Sequence, residues 1–429
     1  MTDARTGVFA VLRATPTPVV YLLGGMLVNQ LGAFVQTFLI LYLTFRGAPL
    51  EVAGLCLTAY SVGSIFGGML GGELTHRIGS RATIVAAMGC AAPLVALIPL
   101  VGDSPSQWAL YAVVALAGLA TQAYRPAAAV LLSDLMPERH KVMGFSMMRI
   151  ALNVGAAVAP MLAAVLILVD WNLLFWVDAA TAALWALLAF TVLPKDTPAH
   201  REDPEPGREP EPVLSARAVY ATMVRDHRFL CFLAASMSGM VVYGASVAVL
   251  PLNIVAEGYP TSLYSTVLMI SSIVLITCEL KITTYIVRLP KRFAGFSGNV
   301  VSGAGYLLYG FLGEHPAFVI VGVLLVTSGV MVHGPSTSSH PATFPVPLRG
   351  RYVGTRETLM GVGAALGPLV GLFVWTTYGG PAFWGFCALL SLVAGSLHLH
   401  GLKQVPVPES ARDPESARDT ESDIVGGKA

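Results

Sequence analysis

The side chains best placed to do chemistry in this sequence are ionisable groups set inside long apolar runs. Asp178 stands in FWVDAATAALW, Glu279 in ITCELKITT, Arg125 in QAYRPAAAV and Arg149 in MMRIALNVG. Charge is costly where water is scarce, so each is a functional candidate. A carboxylate withdrawn from water can take up and return a proton near neutral pH, which makes Asp178 and Glu279 the candidate proton-coupling groups; the alternatives are a structural carboxylate hydrogen-bonded to a neighbouring helix for Asp178 and a static ion pair for Glu279. Lys281 lies two residues from Glu279 and points elsewhere on a helix, so Glu279 needs a partner on another segment. Arg149 and Asn153 are four apart and share a face. They either line a cavity, or Arg149 pins a carboxylate such as Asp178. Arg125 precedes Pro126 and marks a bend. Asn29 and Gln36 are seven apart, with Tyr243 and Asn253 as counterparts later in the chain. These seven, Asn29, Gln36, Arg125, Arg149, Asn153, Tyr243 and Asn253, are the expected polar points of a cavity with aromatic and apolar walls. Such a cavity suits amphiphilic compounds and lacks the dense polar lining a sugar demands. His333 and His340 are also seven apart, but no third ligand accompanies them, so no metal and no cofactor are expected.

The elements that carry these residues are legible from composition. The 429 residues are 55% hydrophobic and only 12% charged, about half the charged share of a soluble chain. A net charge of +1 gives no concentrated basic face for nucleic acid. The five cysteines, Cys56, Cys90, Cys231, Cys278 and Cys387, lie in apolar runs without a C-x-x-C pair and read as small buried hydrophobes. With about 20 apolar residues needed to cross a bilayer, twelve segments qualify: 18–45, 52–74, 83–102, 107–133, 143–169, 172–193, 229–256, 262–287, 294–312, 316–340, 353–378 and 382–400. The first is read as a retained span rather than a signal peptide. The tenth is the weakest, because HGPSTSSHPATFPVP interrupts it. Arg77, Arg81, Arg139, Lys141, Arg288, Lys291, Arg349, Arg351 and Lys403 fall on one side, and Asp103, Asp170, Glu257 and Glu314 on the other. The excess of basic loops on the inner face places both termini in the cytoplasm of a multi-pass plasma-membrane protein.

A proline-rich, charged stretch divides the chain, which gives a first six-helix bundle over 1–193 and a linker over 194–227. A second bundle follows over 228–403, then a polar tail over 404–429 that repeats PESARD. The end of the linker, SARAVYATMVRDHRF, reads as a short surface helix. The two halves resemble each other. PERHKVMG from Pro137 and PLRGRYVG from Pro347 both read P-x-R-x-(K/R)-x-x-G, and NVGAAVAPMLA from Asn153 matches GVGAALGPLVG from Gly361. Duplicated six-span halves are a transporter architecture, with a substrate site near the midplane.

One loop carries most of the remaining information. In GGMLGGELTHRIGSR, residues 67–81, a phosphate-binding reading fails, because no Gly-Lys-Ser/Thr opens a helix there. Gly63, Gly67 and Gly71 are spaced by four and read as helix-packing positions. GGELTHRIGSRAT resembles the loop signature of the major facilitator superfamily at Gly72, Arg77, Gly79 and Arg81. It departs from that signature at His76, where the family has Asp, and at Ser80. Arg125, Pro126, Asp134, Arg139, Arg149, Asn153, Gly155 and Pro160 match a wider pattern of the superfamily. The glycine-proline helix associated with its proton-coupled multidrug exporters is complete in the eleventh span at Gly363, Gly367, Pro368 and Gly371. In the fifth span it is degraded, because Ala159 and Ala163 replace glycines there.

The resemblance implies an all-α membrane fold of twelve helices in two pseudo-symmetric bundles. It also implies a cytoplasmic gate built from Gly72, His76, Arg77, Gly79, Arg81, Asp134 and Arg139. His76 is no permanent anion, so Asp134 becomes the expected partner of Arg77 or Arg81. His76 is then either a solvated loop residue or a group whose titration near neutral pH tunes the gate. The expected function is export of small hydrophobic or amphiphilic compounds, a drug or natural product, by proton antiport. Proton-coupled import of a small nutrient is the alternative. The partners implied are the solute, protons and the bilayer, with the chain acting as a monomer. No cluster of nucleophile, base and orienting group marks it as an enzyme.

Overall fold

The computed structural model describes residue 13 and residues 15–102, 107–195 and 216–402. The tail 404–429, linker residues 196–215, Asp103 and the side chain of Arg139 lie outside what is described. Fourteen α-helices run in chain order: α1 Thr17–Leu31, α2 Val35–Phe45, α3 Leu50–Ile78, α4 Ser80–Val101, α5 Gln107–Leu135, α6 Lys141–Val169 and α7 Leu173–Val192. The second part holds α8 Ala216–Arg225, α9 His227–Ala256, α10 Ser262–Ile286, α11 Lys291–Tyr309, α12 Ala317–Ser339, α13 Val346–Tyr378 and α14 Gly380–Gly401. With α1 and α2 taken as one interrupted crossing and the short α8 set aside, twelve long segments match the twelve expected spans. Ten of them are long and apolar enough to cross a membrane; α5 and α11 fall short on composition. The protein is an integral membrane protein with no strand among the described residues.

The two halves repeat one another in detail. Gly47 and Gly258 both take a positive φ, 86° and 82°, and both precede x-Pro. Each ends its helix the same way: the Ala48 N–H donates to Leu43 O, and the Tyr259 N–H to Ile254 O. This is the glycine helix stop in which a left-handed residue satisfies the last carbonyls. The expected surface helix forms as α8. It buries Val219 and Met223 against Phe229, Phe232 and Tyr352, while the Asp226 side chain caps α9 by accepting from the N–H groups of Arg228 and Phe229. The tenth span is continuous to Ser339 despite Pro335, and a 3-10 turn, Pro341–Thr343, leads into α13.

Glycines fix the closest helix approaches. A Cβ at Gly63, Gly67 or Gly71 would lie 1.9, 2.4 or 2.0 Å from the carbonyl oxygen of Ala115, Leu119 or Ala123 on α5. The other side of α3 crosses α13 of the second half, where a Cβ at Gly72 would lie 2.6 Å from Gly350 O, and one at Gly354 would lie 2.8 Å from Gly72 Cα. On α13, Gly363, Gly367 and Gly371 press against Met237, Val241 and Ala245 of α9, and Pro368 lies against Gly244. Gly155 of α6 meets Gln30 of α1, while Pro160 is exposed.

The first crossing is broken, a feature absent from the expected spans. α1 ends at Leu31 and α2 begins at Val35. The corresponding first crossing of the second half, α9, runs unbroken through 30 residues. Gly32 allows the break to press on α7, since a Cβ there would lie 2.1 Å from Thr181 Oγ1.

Candidate functional site

Asp178 explains the broken helix. It lies on α7, is 5% exposed, and its carboxylate Oδ2 accepts from the backbone N–H groups of Phe34 (3.0 Å) and Val35 (3.3 Å). Those are the first amides of α2, where a helix offers unsatisfied donors and a partial positive charge. A negative side chain aimed at them forms charge-assisted hydrogen bonds, stronger than neutral ones. In α14, the last crossing of the second half, PAFWGFCALL carries no acidic residue, and α9 is continuous.

Around this cap is a cavity of about 100 Å³, lined by Asn29, Gln30, Ala33, Val35, Gln36, Thr37, Tyr60, Thr121, Gln122, Tyr124, Arg125 and Asp178. Four residues singled out from sequence, Asn29, Gln36, Arg125 and Asp178, meet here. The lining corrects the expectation of apolar walls: ten of its twelve residues are polar or carry a polar tip. Gln30, Thr37, Thr121 and Gln122 are scattered through apolar runs on different helices, where composition averages them away. Tyr60 donates to or accepts from Thr121 Oγ1 at 3.0 Å.

The other predicted cavity residues are elsewhere. Asn153 donates to the Arg149 carbonyl one turn back, at 2.7 Å. Asn253 accepts from Trp375 Nε1 at 3.1 Å, tying α9 to α13. Tyr243 is 55% exposed on α9. Arg149 does not reach Asp178. Its Nε donates to Glu279 Oε1 at 2.8 Å, and its guanidinium rests against Gly334 of α12. Glu279 is fully buried on α10, so this ion pair ties the two halves, beside a 2.7 Å hydrogen bond between Ser146 and Thr283. Removing one partner of a buried pair costs about 3–5 kcal/mol, whereas replacing both with apolar groups is often neutral. Glu279→Ala is therefore expected to lower the thermal midpoint of the purified protein sharply. The double variant Arg149→Met/Glu279→Leu is expected to stay near the parent. Equal loss in single and double variants would contradict the ion-pair assignment.

Polar ties between the halves gather at the end of the bundle that carries the basic loops. Arg351 of α13 grips Glu73 of α3 through Nε and Nη2, at 2.8 and 3.1 Å, and Arg77 also donates to Glu73 at 2.7 Å. Arg349 pairs with Asp134 of α5, and Ser133 donates to Ala342 O at 3.2 Å. The expected partnering of Asp134 with Arg77 or Arg81 is corrected. Glu73 takes Arg77 from one turn away on the same helix. Arg81 donates to the Ala189 and Phe190 carbonyls at the end of α7 and lies over the Phe190 ring. His76 sits in the last turn of α3 opposite Gly350, and Gly79 takes φ 90° in the turn to α4. Arg139 falls in the 3-10 turn Glu138–His140. Sequence reasoning missed Glu73, Arg349 and Arg351. Glu73 stands three residues before His76 on the same helix face, so the negative charge absent at position 76 reappears one turn earlier.

The histidines do not gather around a metal site: among the described residues no group of three or more His, Cys, Asp or Glu could hold one. His333 stacks near His398 with ring centroids 6.5 Å apart, and His398 Nδ1 lies 3.2 Å from Asn299 Nδ2. His340 packs on Phe232.

Comparison with known proteins places this arrangement. A family model described as Major Facilitator Superfamily matches residues 22–343. The uncharacterized MFS-type transporter YqjV of Bacillus subtilis (strain 168) is 22% identical over 341 residues, 78% of this chain and 80% of its own length. The Na(+), Li(+), K(+)/H(+) antiporter of Planococcus maritimus is 21% identical over 406 residues, 89% of this chain and 94% of its own. Among solved structures, the E. coli fucose:proton symporter FucP superposes with a TM-score of 0.74 at 15% identity, over 90% of this chain and 99% of its own.

Proposed function

Because the chain belongs to the major facilitator superfamily, we propose that it is a proton-coupled secondary transporter that exports small amphiphilic compounds by exchange for protons. Asp178 carries the exchanged proton, and both termini face the cytoplasm. The observation that carries the reading is the Asp178 carboxylate, which lines the cavity and holds the start of α2 through two backbone N–H groups. Ionised, it supplies negative charge to a helix N-terminus. Protonated, it loses the charge assistance of both bonds, and the break at residues 32–34 loosens. A solute that needs the ionised carboxylate and a proton that neutralises it exclude one another, which is the condition for antiport. The glycine-proline face of α13 against α9 supports export, through the resemblance to exporters.

A change of access must separate the halves at the basic end. There the Glu73–Arg351 and Asp134–Arg349 pairs and the Gly72–Gly354 crossing hold α3 and α5 against α13. Import by proton symport is the second reading, favoured by the small, polar lining of the cavity. Accumulation assays in a pump-deficient host decide between them. Export predicts lower accumulation of some compound, restored by an uncoupler. Uptake that rises with an inward proton gradient would select import.

A further inference from the structure

Two side chains of the cavity lining carry donors that no protein group receives. Tyr124 is 1% exposed, and its hydroxyl has no partner. Next to it, Arg125 contributes a guanidinium to the same lining, and its buried Nε is also without a partner. Ionisable groups inside a membrane bundle ordinarily pair with one another. Here a cation and an anion share one small space, and Arg125 keeps its Nε unpaired.

A solute bearing only positive charge would satisfy Asp178 and leave the Arg125 guanidinium as it is. A solute bearing only negative charge would satisfy that guanidinium and sit against the Asp178 carboxylate. We propose that the cavity takes the headgroup of a zwitterionic solute, with an ammonium at Asp178 and a carboxylate at the Arg125 guanidinium. The cavity is small, about 100 Å³. That suits an amino-carboxylate head and leaves any apolar body outside it. The ammonium and the proton then compete for one carboxylate, so this inference rests on the antiport reading of Asp178.

Three forms of one compound test it: phenylalanine, phenylalaninamide and N-acetylphenylalanine, which are zwitterion, cation and anion. Binding is read from ligand-induced thermal stabilisation of the purified protein. Phenylalanine is expected to bind about tenfold more tightly than either analogue, the worth of about one charged contact. Arg125→Gln removes that preference, so that phenylalanine and its amide become equal, while Arg125→Lys keeps part of it. Parity of the amide with phenylalanine in the parent protein, parity of the N-acetyl form, or no binding by any of the three overturns the proposal. Proton movement in proteoliposomes separates the two ideas. Selective binding of phenylalanine without solute-driven proton flux sinks the antiport reading and leaves the zwitterion site standing. Flux driven by other compounds with no preference for the zwitterion does the reverse.

Discussion

Replacing Asp178 with Asn is expected to abolish proton-driven accumulation or extrusion while leaving the protein folded. The amide oxygen can still accept from the Phe34 and Val35 N–H groups, so the break in the first crossing survives in weaker form. Exchanging a charged acceptor for a neutral one costs about 1–1.5 kcal/mol in those bonds, a small part of the stability of a folded protein, about 5–15 kcal/mol. The proton, by contrast, loses its only seat in the cavity lining, because Asp178 is the one acidic residue there. In proteoliposomes the variant should exchange solute down its own gradient and ignore an imposed pH gradient. Asp178→Ala removes the acceptor altogether, leaves the start of α2 uncapped, and is expected to lower stability as well. A variant Asp178→Asn that still concentrates solute against its gradient would show that the coupling proton binds elsewhere, with Glu279 the next group to examine.

The second large effect is expected at the basic end. Glu73 is gripped by Nε and Nη2 of Arg351, whose side chain is 5% exposed, and also by Arg77, which is 66% exposed. The exposed Arg77 contact contributes little, as surface ion pairs do. The Arg351 contact crosses between halves and is largely desolvated. Removing Glu73 leaves Arg351 unpaired, at a cost below the 3–5 kcal/mol of a fully buried pair because Glu73 is 19% exposed. A cost of about 2 kcal/mol shifts the balance toward a basic end that is open by roughly thirtyfold. The readout is thiol labelling of Thr75→Cys, a buried position facing Gly350, with the five native cysteines replaced. Glu73→Gln should raise labelling. Arg351→Gln should raise it as much, and the double variant no further, because both remove one interaction. Additive effects would mean that the two residues act separately. Unchanged labelling would show that the glycine crossing alone keeps the end shut.

What the sequence reveals about this protein depends on the range of the interaction. Helices are local, so runs of predominantly apolar residues mark the crossings, although α5 and α11 fall short of a spanning helix on hydropathy, and the four-residue glycine spacing anticipates the α3–α5 contact. The break at 32–34 is not local. Its cause is a carboxylate 144 residues away, and the only trace in the first crossing is Gly32, one glycine among many in apolar runs. The gate shows the same division. Its position follows from basic loops and the repeated P-x-R-x-(K/R)-x-x-G segments, which already contain Arg349 and Arg351. Its pairing does not, because Glu73 meets Arg351 across 278 residues. Position 76, where the family has Asp, carries no acid, and nothing local marks Glu73, one turn earlier, as its replacement. Arg149 reads equally as a cavity residue or as the partner of a carboxylate such as Asp178, and sequence offers no distance by which to choose Glu279.

The central claim is that protonation of Asp178 releases the start of α2. Hydrogen exchange of a peptide spanning residues 29–38 reads this directly and needs no substrate. The ionised carboxylate protects the Phe34 and Val35 amides, so protection should be greatest at high pH. After correction for intrinsic exchange, it should fall as pH drops and the carboxylate is neutralised. Asp178→Asn should show weak protection that does not change with pH. Protection in the parent protein that is independent of pH, or a pH dependence that persists in Asp178→Asn, would contradict the account.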